Sequence, residues 1–180
     1  RNGRYIHDLV WALFRLADPK VLRQIAVYLR SANAKDRALA MELLNLEEGD
    51  MAVYKGDGEG CYAAYLEWLN ENEPYLYFTG ESFQYATKPA FSTVDLGRKY
   101  LQKAIASYET ESAAKESLPL SNEEQESLAV FRQLSLEEQK MLSGYSQQIS
   151  AKGLPAWKEW LQRPVKEQIK TAKAGLEGEE

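Results

Sequence analysis

A single histidine, His7, serves the whole chain of 180 residues. It closes the run Arg1-Asn2-Gly3-Arg4-Tyr5-Ile6-His7, so a guanidinium and a side-chain amide precede an imidazole on one short stretch. An imidazole moves protons near neutral pH, and a guanidinium holds phosphate. One histidine excludes a multi-histidine metal centre. One cysteine, Cys61, excludes a thiolate cage and a disulfide framework. Cys61 follows the glycine-rich, acidic run Gly49–Gly60 at a predicted helix N-terminus, where the helix dipole would lower its pKa. No base lies near it in sequence to complete a catalytic thiol. Gly58-Glu59-Gly60-Cys61-Tyr62-Ala63 fits the G-x-G-x-x-A spacing of a dinucleotide loop. Only Val53-Tyr54 offers a strand before it, and Asp57 and Glu59 would repel a pyrophosphate. Paired carboxylates at 47–48, 123–124 and 137–138 fall where helix ends and solvent faces account for them. No cofactor and no metal are expected.

Three resemblances follow from short motifs. Arg1-Asn2-x4-His7 resembles the catalytic motif of HEPN-type ribonucleases. That resemblance implies an all-α domain in which His7 handles the proton of the RNA 2′-hydroxyl, Arg1 steadies the phosphate and Asn2 positions them, without a metal. Residues 16–46, with an Asp18-Pro19 turn and Arg23-x-x-Ala26-x-x-Leu29 echoed by Arg37-x-x-Ala40-x-x-Leu43, resemble HEAT-type repeat helices. HEAT layers stack helix pairs and bind other proteins. The Leu-Ser-x-Glu-Glu-Gln openings at Leu120 and Leu134 look like the starts of helix-turn-helix segments in bacterial regulators, which would imply DNA binding.

Composition frames these readings. An apolar fraction of 44% with 27% charged residues is that of an ordinary globular chain able to bury a core. A lone cysteine fits a reducing, cytoplasmic setting. No apolar run approaches the ~18 residues that a membrane span needs. No secretory signal is legible, and the chain opens on Arg1 rather than Met, which leaves room for a segment upstream. The net charge of −5 weighs against generic nucleic-acid capture, which depends on neutralising phosphates. The charge is also uneven. Met51–Tyr85 carries one basic residue, Lys55, against six acidic ones, whereas Lys152–Lys173 carries six basic residues against Glu159 and Glu167.

Periodicity supplies the elements that must position these groups. Tyr5–Ala17 reads as a helix, and Leu22, Ile25, Ala26 and Leu29 as the buried face of a second. Asn33 caps a third, with Ala40, Leu43 and Leu44 inward. Tyr62, Tyr65, Leu66 and Leu69 mark a helix stopped near Pro74. Tyr75–Ala86 is aromatic and has room for a small β-hairpin. Ser92 and Asp95 predict a cap for a helix running to about Tyr108, with Leu101, Ile105 and Tyr108 inward. The stretch Leu120–Gln133 is then echoed fourteen residues later by Leu134–Gln147. As one coiled-coil helix with Leu128 and Phe131 on the seam, the next seam positions would be Ser135 and Glu138, which pack poorly. As two helices, Ser121 and Ser135 become N-caps with Glu124 and Glu138 as capping-box partners. Leu128, Phe131, Leu142 and Tyr145 then fall on the buried sides. Gly153 ends that pair, and Pro164 kinks or splits the tail.

The expected object is all-α: a helical bundle or short HEAT-like layer over residues 1–117, then a helical hairpin and basic tail over 118–174, with 175–180 disordered. The expected function is non-catalytic, an adaptor or accessory subunit that binds another protein. The partner and the oligomeric state are unspecified. HEPN-like RNA cleavage and DNA binding are the alternatives. Tyr and Trp, at 11 and 4 residues, supply the anchors that interfaces favour. Trp157, Lys158, Trp160, Leu161 and Arg163 in the basic tail, and Tyr75, Tyr77 and Phe83 in the acidic segment, are the candidate partner-binding residues. The capping argument predicts that Ser135→Ala destabilises the fold by about 0.5–2 kcal/mol in urea denaturation. An unchanged midpoint would defeat it.

Overall fold

Helix caps and inward rows set the elements, and the structure, a computed structural model, describes residues 20–46, 57–77, 93–105 and 119–177. Eight α-helices and two two-residue strands lie among them. The chain divides into two compact units at Thr93/Val94, not near residue 117 as the polar stretch 109–117 suggested. That stretch lies outside the described residues.

In the first unit, α1 (Lys20–Ala26) tightens into a 3-10 turn, Val27–Arg30. The predicted row of Leu22, Ile25, Ala26 and Leu29 is fully buried. Asn33 caps α2 (Ala34–Leu43) by accepting the Lys35 N–H at 3.0 Å. Ala40 and Leu44 are buried and Leu43 is half-buried. Asn45 then turns left-handed at φ 53°, and the Leu46 N–H closes onto the Met41 carbonyl at 2.9 Å. This is a common way to satisfy the last carbonyls of a helix.

Helix α3 (Gly58–Asn72) starts within the glycine-rich run and shortens the expected loop, because the Asp57 carboxylate accepts the Glu59 N–H at 3.1 Å and caps it. Cys61, Tyr65, Leu69 and Asn72 form its buried row. Gly58 has a packing role: a Cβ there would lie 2.6 Å from the Leu29 carbonyl oxygen, so only glycine lets α3 begin against the 3-10 turn. The Arg30 guanidinium lies over the Tyr62 ring, 4.5 Å from its centroid. Arg23 pairs with Glu73 and donates to Asn70 at 2.8 Å, tying α1 to the end of α3. After a 3-10 turn at Glu73–Tyr75, β1 (Leu76–Tyr77) pairs with β2 (Thr93–Val94). The partner of β1 therefore lies beyond the Tyr75–Ala86 segment proposed as a hairpin, and 78–86 is outside the described residues.

In the second unit, Asp95 caps α4 (Leu96–Tyr100) by accepting the Arg98 N–H at 2.9 Å. Ser92 and Tyr108 are outside the described residues, and the helix does not continue past Tyr100 as its apolar spacing suggested. Gln102 takes the left-handed region at φ 50°, and the Lys103 N–H closes onto the Arg98 carbonyl at 2.9 Å, a helix-ending motif built without glycine. The fourteen-residue echo is two helices, α5 (Asn122–Phe131) and α6 (Leu136–Ala151), each opened by a complete capping box. Gly153, at φ 123°, separates α6 from α7 (Leu154–Leu161). Pro164 precedes α8 (Val165–Glu177), so the tail is split rather than kinked. Gly175–Glu177, expected to be disordered, belongs to α8.

The core of this unit gathers Tyr100, Leu101, Leu128, Phe131, Leu142, Trp157 and Trp160. Tyr145 is half-buried and packs on Trp160 with ring centroids 5.9 Å apart.

Two glycines in helices test the packing account in opposite directions. Gly58→Ala should destabilise by about 1–3 kcal/mol, because backbone must move to admit the methyl group. Gly144, inside α6, has open space at its Cβ position. Gly144→Ala should stabilise by about 0.5–1 kcal/mol through the lower entropy of the unfolded chain. Urea midpoints of the two variants should therefore move apart.

Candidate interaction cleft

Tyr100 organises the second unit. Its side chain is fully buried, stacked on Phe131 at 4.5 Å and edge-on to Trp160 at 5.8 Å. Its hydroxyl donates to Gln168 Oε1 at 2.8 Å. Burial raises the phenol pKa, and the Gln168 bond offsets part of that rise. Gln168, itself buried on α8, uses its Nε2 to donate to the Leu161 and Arg163 carbonyls at 3.1 and 2.8 Å. Those carbonyls belong to the end of α7 and the turn after it, where a helix leaves acceptors unpaired. The Tyr100 carbonyl in turn accepts from Ser146 Oγ at 2.6 Å, and Ser146 Oγ accepts from Trp157 Nε1 at 2.9 Å. Two short polar chains thus fix α7 and α8 against α4 and α6.

The fixed elements leave an open cleft of about 740 Å³. Its floor is formed by Tyr100, Trp157, Leu161, Val165 and Gln168. One wall is the outer face of α5, with Glu123, Glu126, Ser127 and Val130; the other is the end of α7, with Lys158, Gln162 and Arg163. Val130 is 46% exposed, so apolar surface faces the solvent inside the cleft. Glu124 is turned to structural work: it accepts from the Ser121 N–H at 2.7 Å and from Lys103 Nζ at 2.6 Å. Burial alone would raise its pKa, but the Lys103 ammonium and the Ser121 donors outweigh that and hold it below the usual carboxylate value. Arg163 reaches Glu159 at 2.8 Å.

The residues proposed from sequence divide among these roles. Trp157 and Trp160 are 8% and 2% exposed and packed inside their own unit, so they are core residues and not exposed anchors. Their three-residue spacing marked a buried face. Lys158, Leu161 and Arg163 all line the cleft. Tyr75 is buried in the first unit, Tyr77 is exposed, and Phe83 lies outside the described residues. Arg1, Asn2 and His7 also lie outside them. Cys61 is buried with its thiol pKa raised, by burial first and by the Asp57 charge second, the reverse of what a helix N-terminus alone would do.

Gln168, Tyr100 and Ser146 were not singled out from sequence. A polar residue at 168 on the apolar stripe of Val165, Ile169 and Ala172 was the available signal, since a buried amide must find partners. Among the described residues there is no cluster of His, Cys, Asp and Glu able to hold a metal ion, and no helix is long and apolar enough to cross a membrane. The chain matches no protein-family profile, no curated protein and no solved structure.

The buried network carries a stability prediction. Trp157→Ala should cost about 3–5 kcal/mol, as expected for a core aromatic. Ser146→Ala should cost about 1–3 kcal/mol, because it leaves the indole N–H and the Tyr100 carbonyl without their partner. Denaturant titration of both variants checks this, and a Trp157→Ala protein as stable as the parent would remove the indole from the core.

Proposed function

We propose that the chain is a non-catalytic interaction module and that the cleft of its second unit receives a segment of another protein. The observation that carries this reading is the convergence of Lys158, Leu161 and Arg163 with Val130 around one open groove. The polar atoms of its floor are already committed: the Tyr100 hydroxyl, the Trp157 indole and the Gln168 amide all bond within the fold. Such a floor offers contact area in place of reactive groups. Apolar burial there supplies affinity, and the charged rim supplies steering and selectivity. The reading also takes residues 16–46 as HEAT-like helices, supported within the described residues by the buried row Leu22, Ile25, Ala26 and Leu29 and by buried Ala40 and Leu44.

Peptides selected by display on the intact chain, followed by mapping of NMR shifts, test the proposal. Shifts should gather on Glu123, Val130, Lys158 and Leu161. Val130→Asp should leave stability within about 0.5 kcal/mol, since the side chain is exposed. It should weaken the selected peptides about tenfold or more. Shifts confined to other surfaces would sink the cleft as the binding surface. Metal-independent RNA cleavage that disappears in His7→Ala would overturn the non-catalytic reading altogether.

A further inference from the structure

The two walls of the cleft carry opposite charges that remain unpaired among the described residues. Glu124 and Arg163 have ion-pair partners in Lys103 and Glu159. Glu123 and Glu126 on α5, and Lys158 on α7, face the same groove with no ion pair among the described residues. All three are exposed, so none has paid the cost of burial. From this geometry we infer that the cleft selects a peptide segment of mixed charge, with a basic residue toward Glu123 and Glu126, an acidic residue toward Lys158, and an apolar side chain between them over Val130, Leu161 and Val165. The inference rests on the interaction reading above and names the chemistry of its partner.

Charge complementarity decides among occupants. A polyanion such as nucleic acid would meet the carboxylates of α5. A purely basic segment would meet Lys158, and a purely acidic one would meet Glu123 and Glu126. A segment bearing both signs satisfies both walls, and it leaves the apolar strip to contribute most of the affinity. Each exposed charge pair contributes only about two- to fivefold in binding, so the charges discriminate more than they hold. That division suits a groove whose floor has its polar atoms bonded within the fold and whose rim is charged and exposed.

Three displayed libraries of peptides about ten residues long test this on the full chain. One contains neutral and acidic residues only, one neutral and basic only, and one both signs. The mixed library should yield the strongest binders, and Val130→Asp should abolish their enrichment. Lys158→Glu should move the preference to the basic library, and Glu123→Lys combined with Glu126→Lys should move it to the acidic one. Unfolding cannot produce such a reversal of preference. Equal enrichment of all three libraries, still lost in Val130→Asp, would overturn the charge inference and leave the cleft as a binding surface. Failure of every library to enrich would overturn both.

Discussion

Every polar atom of Tyr100 is bonded inside the second unit, and the placement of four helices depends on it. The ring fills the space between Phe131 and Trp160. The carbonyl reaches Ser146 on α6, and through it Trp157 on α7. The hydroxyl reaches Gln168 on α8, which in turn holds the last carbonyls of α7. A buried polar group costs about 1–3 kcal/mol if it is left unpaired. The network is therefore stable only as a complete set, and losing one member penalises the others. The indole N–H of Trp160 shows the other side of this balance. It is buried with no hydrogen-bond partner among the described residues, and its ring gains apolar burial and contact with Tyr100 there.

Local rules made much of the fold legible. The capping boxes at Ser121 and Ser135 need only residues three apart, and both are present. The inward rows of α5 and of α1 with its 3-10 turn follow from helical spacing, and every residue assigned to them is buried: Leu128 and Phe131 in one, Leu22, Ile25, Ala26 and Leu29 in the other. The arrest of α4 at Tyr100 was not legible. It depends on Gln102 adopting a left-handed conformation that usually marks glycine or asparagine, and the apolar positions 101, 105 and 108 kept the helical period running past it. The role of Gly58 was equally hidden. A glycine before a helix reads as loop chemistry, and its true constraint, the Leu29 carbonyl at 2.6 Å from a would-be Cβ, lies twenty-nine residues away in the chain.

The candidate cleft was half legible for the same reason. The basic tail pointed to Lys158, Leu161 and Arg163, and these do share one groove. Sequence spacing put Trp157 and Trp160 on one face but could not say whether that face met solvent or core. What decides it is long-range: Ser146, on another helix, supplies the acceptor that lets the Trp157 indole be buried. The opposite wall, α5, is written in residues that local reading assigned wholly to helix capping and solvent. Glu123 serves a first turn favourably, and so does Glu124. Only the tertiary arrangement separates them: both line the groove, but Glu124 is bonded to Ser121 and Lys103 while Glu123 has no such partner among the described residues.

This separation would let stability and the proposed recognition vary independently in the second unit. The residues that hold the helices together, Tyr100, Ser146, Trp157 and Gln168, are buried and mutually bonded. The residues of the proposed partner surface, Glu123, Glu126, Val130 and Lys158, are exposed and take no part in that network among the described residues. Substitutions far apart with no shared partner add nearly independently, whereas members of one hydrogen-bond network do not. The rim can therefore change its charges with little effect on folding, while the floor beneath it cannot change without loosening α7 and α8. For the proposed interaction, a rigid floor under an adjustable rim would lower the ordering cost of binding, because the contact surface would exist before a partner arrived.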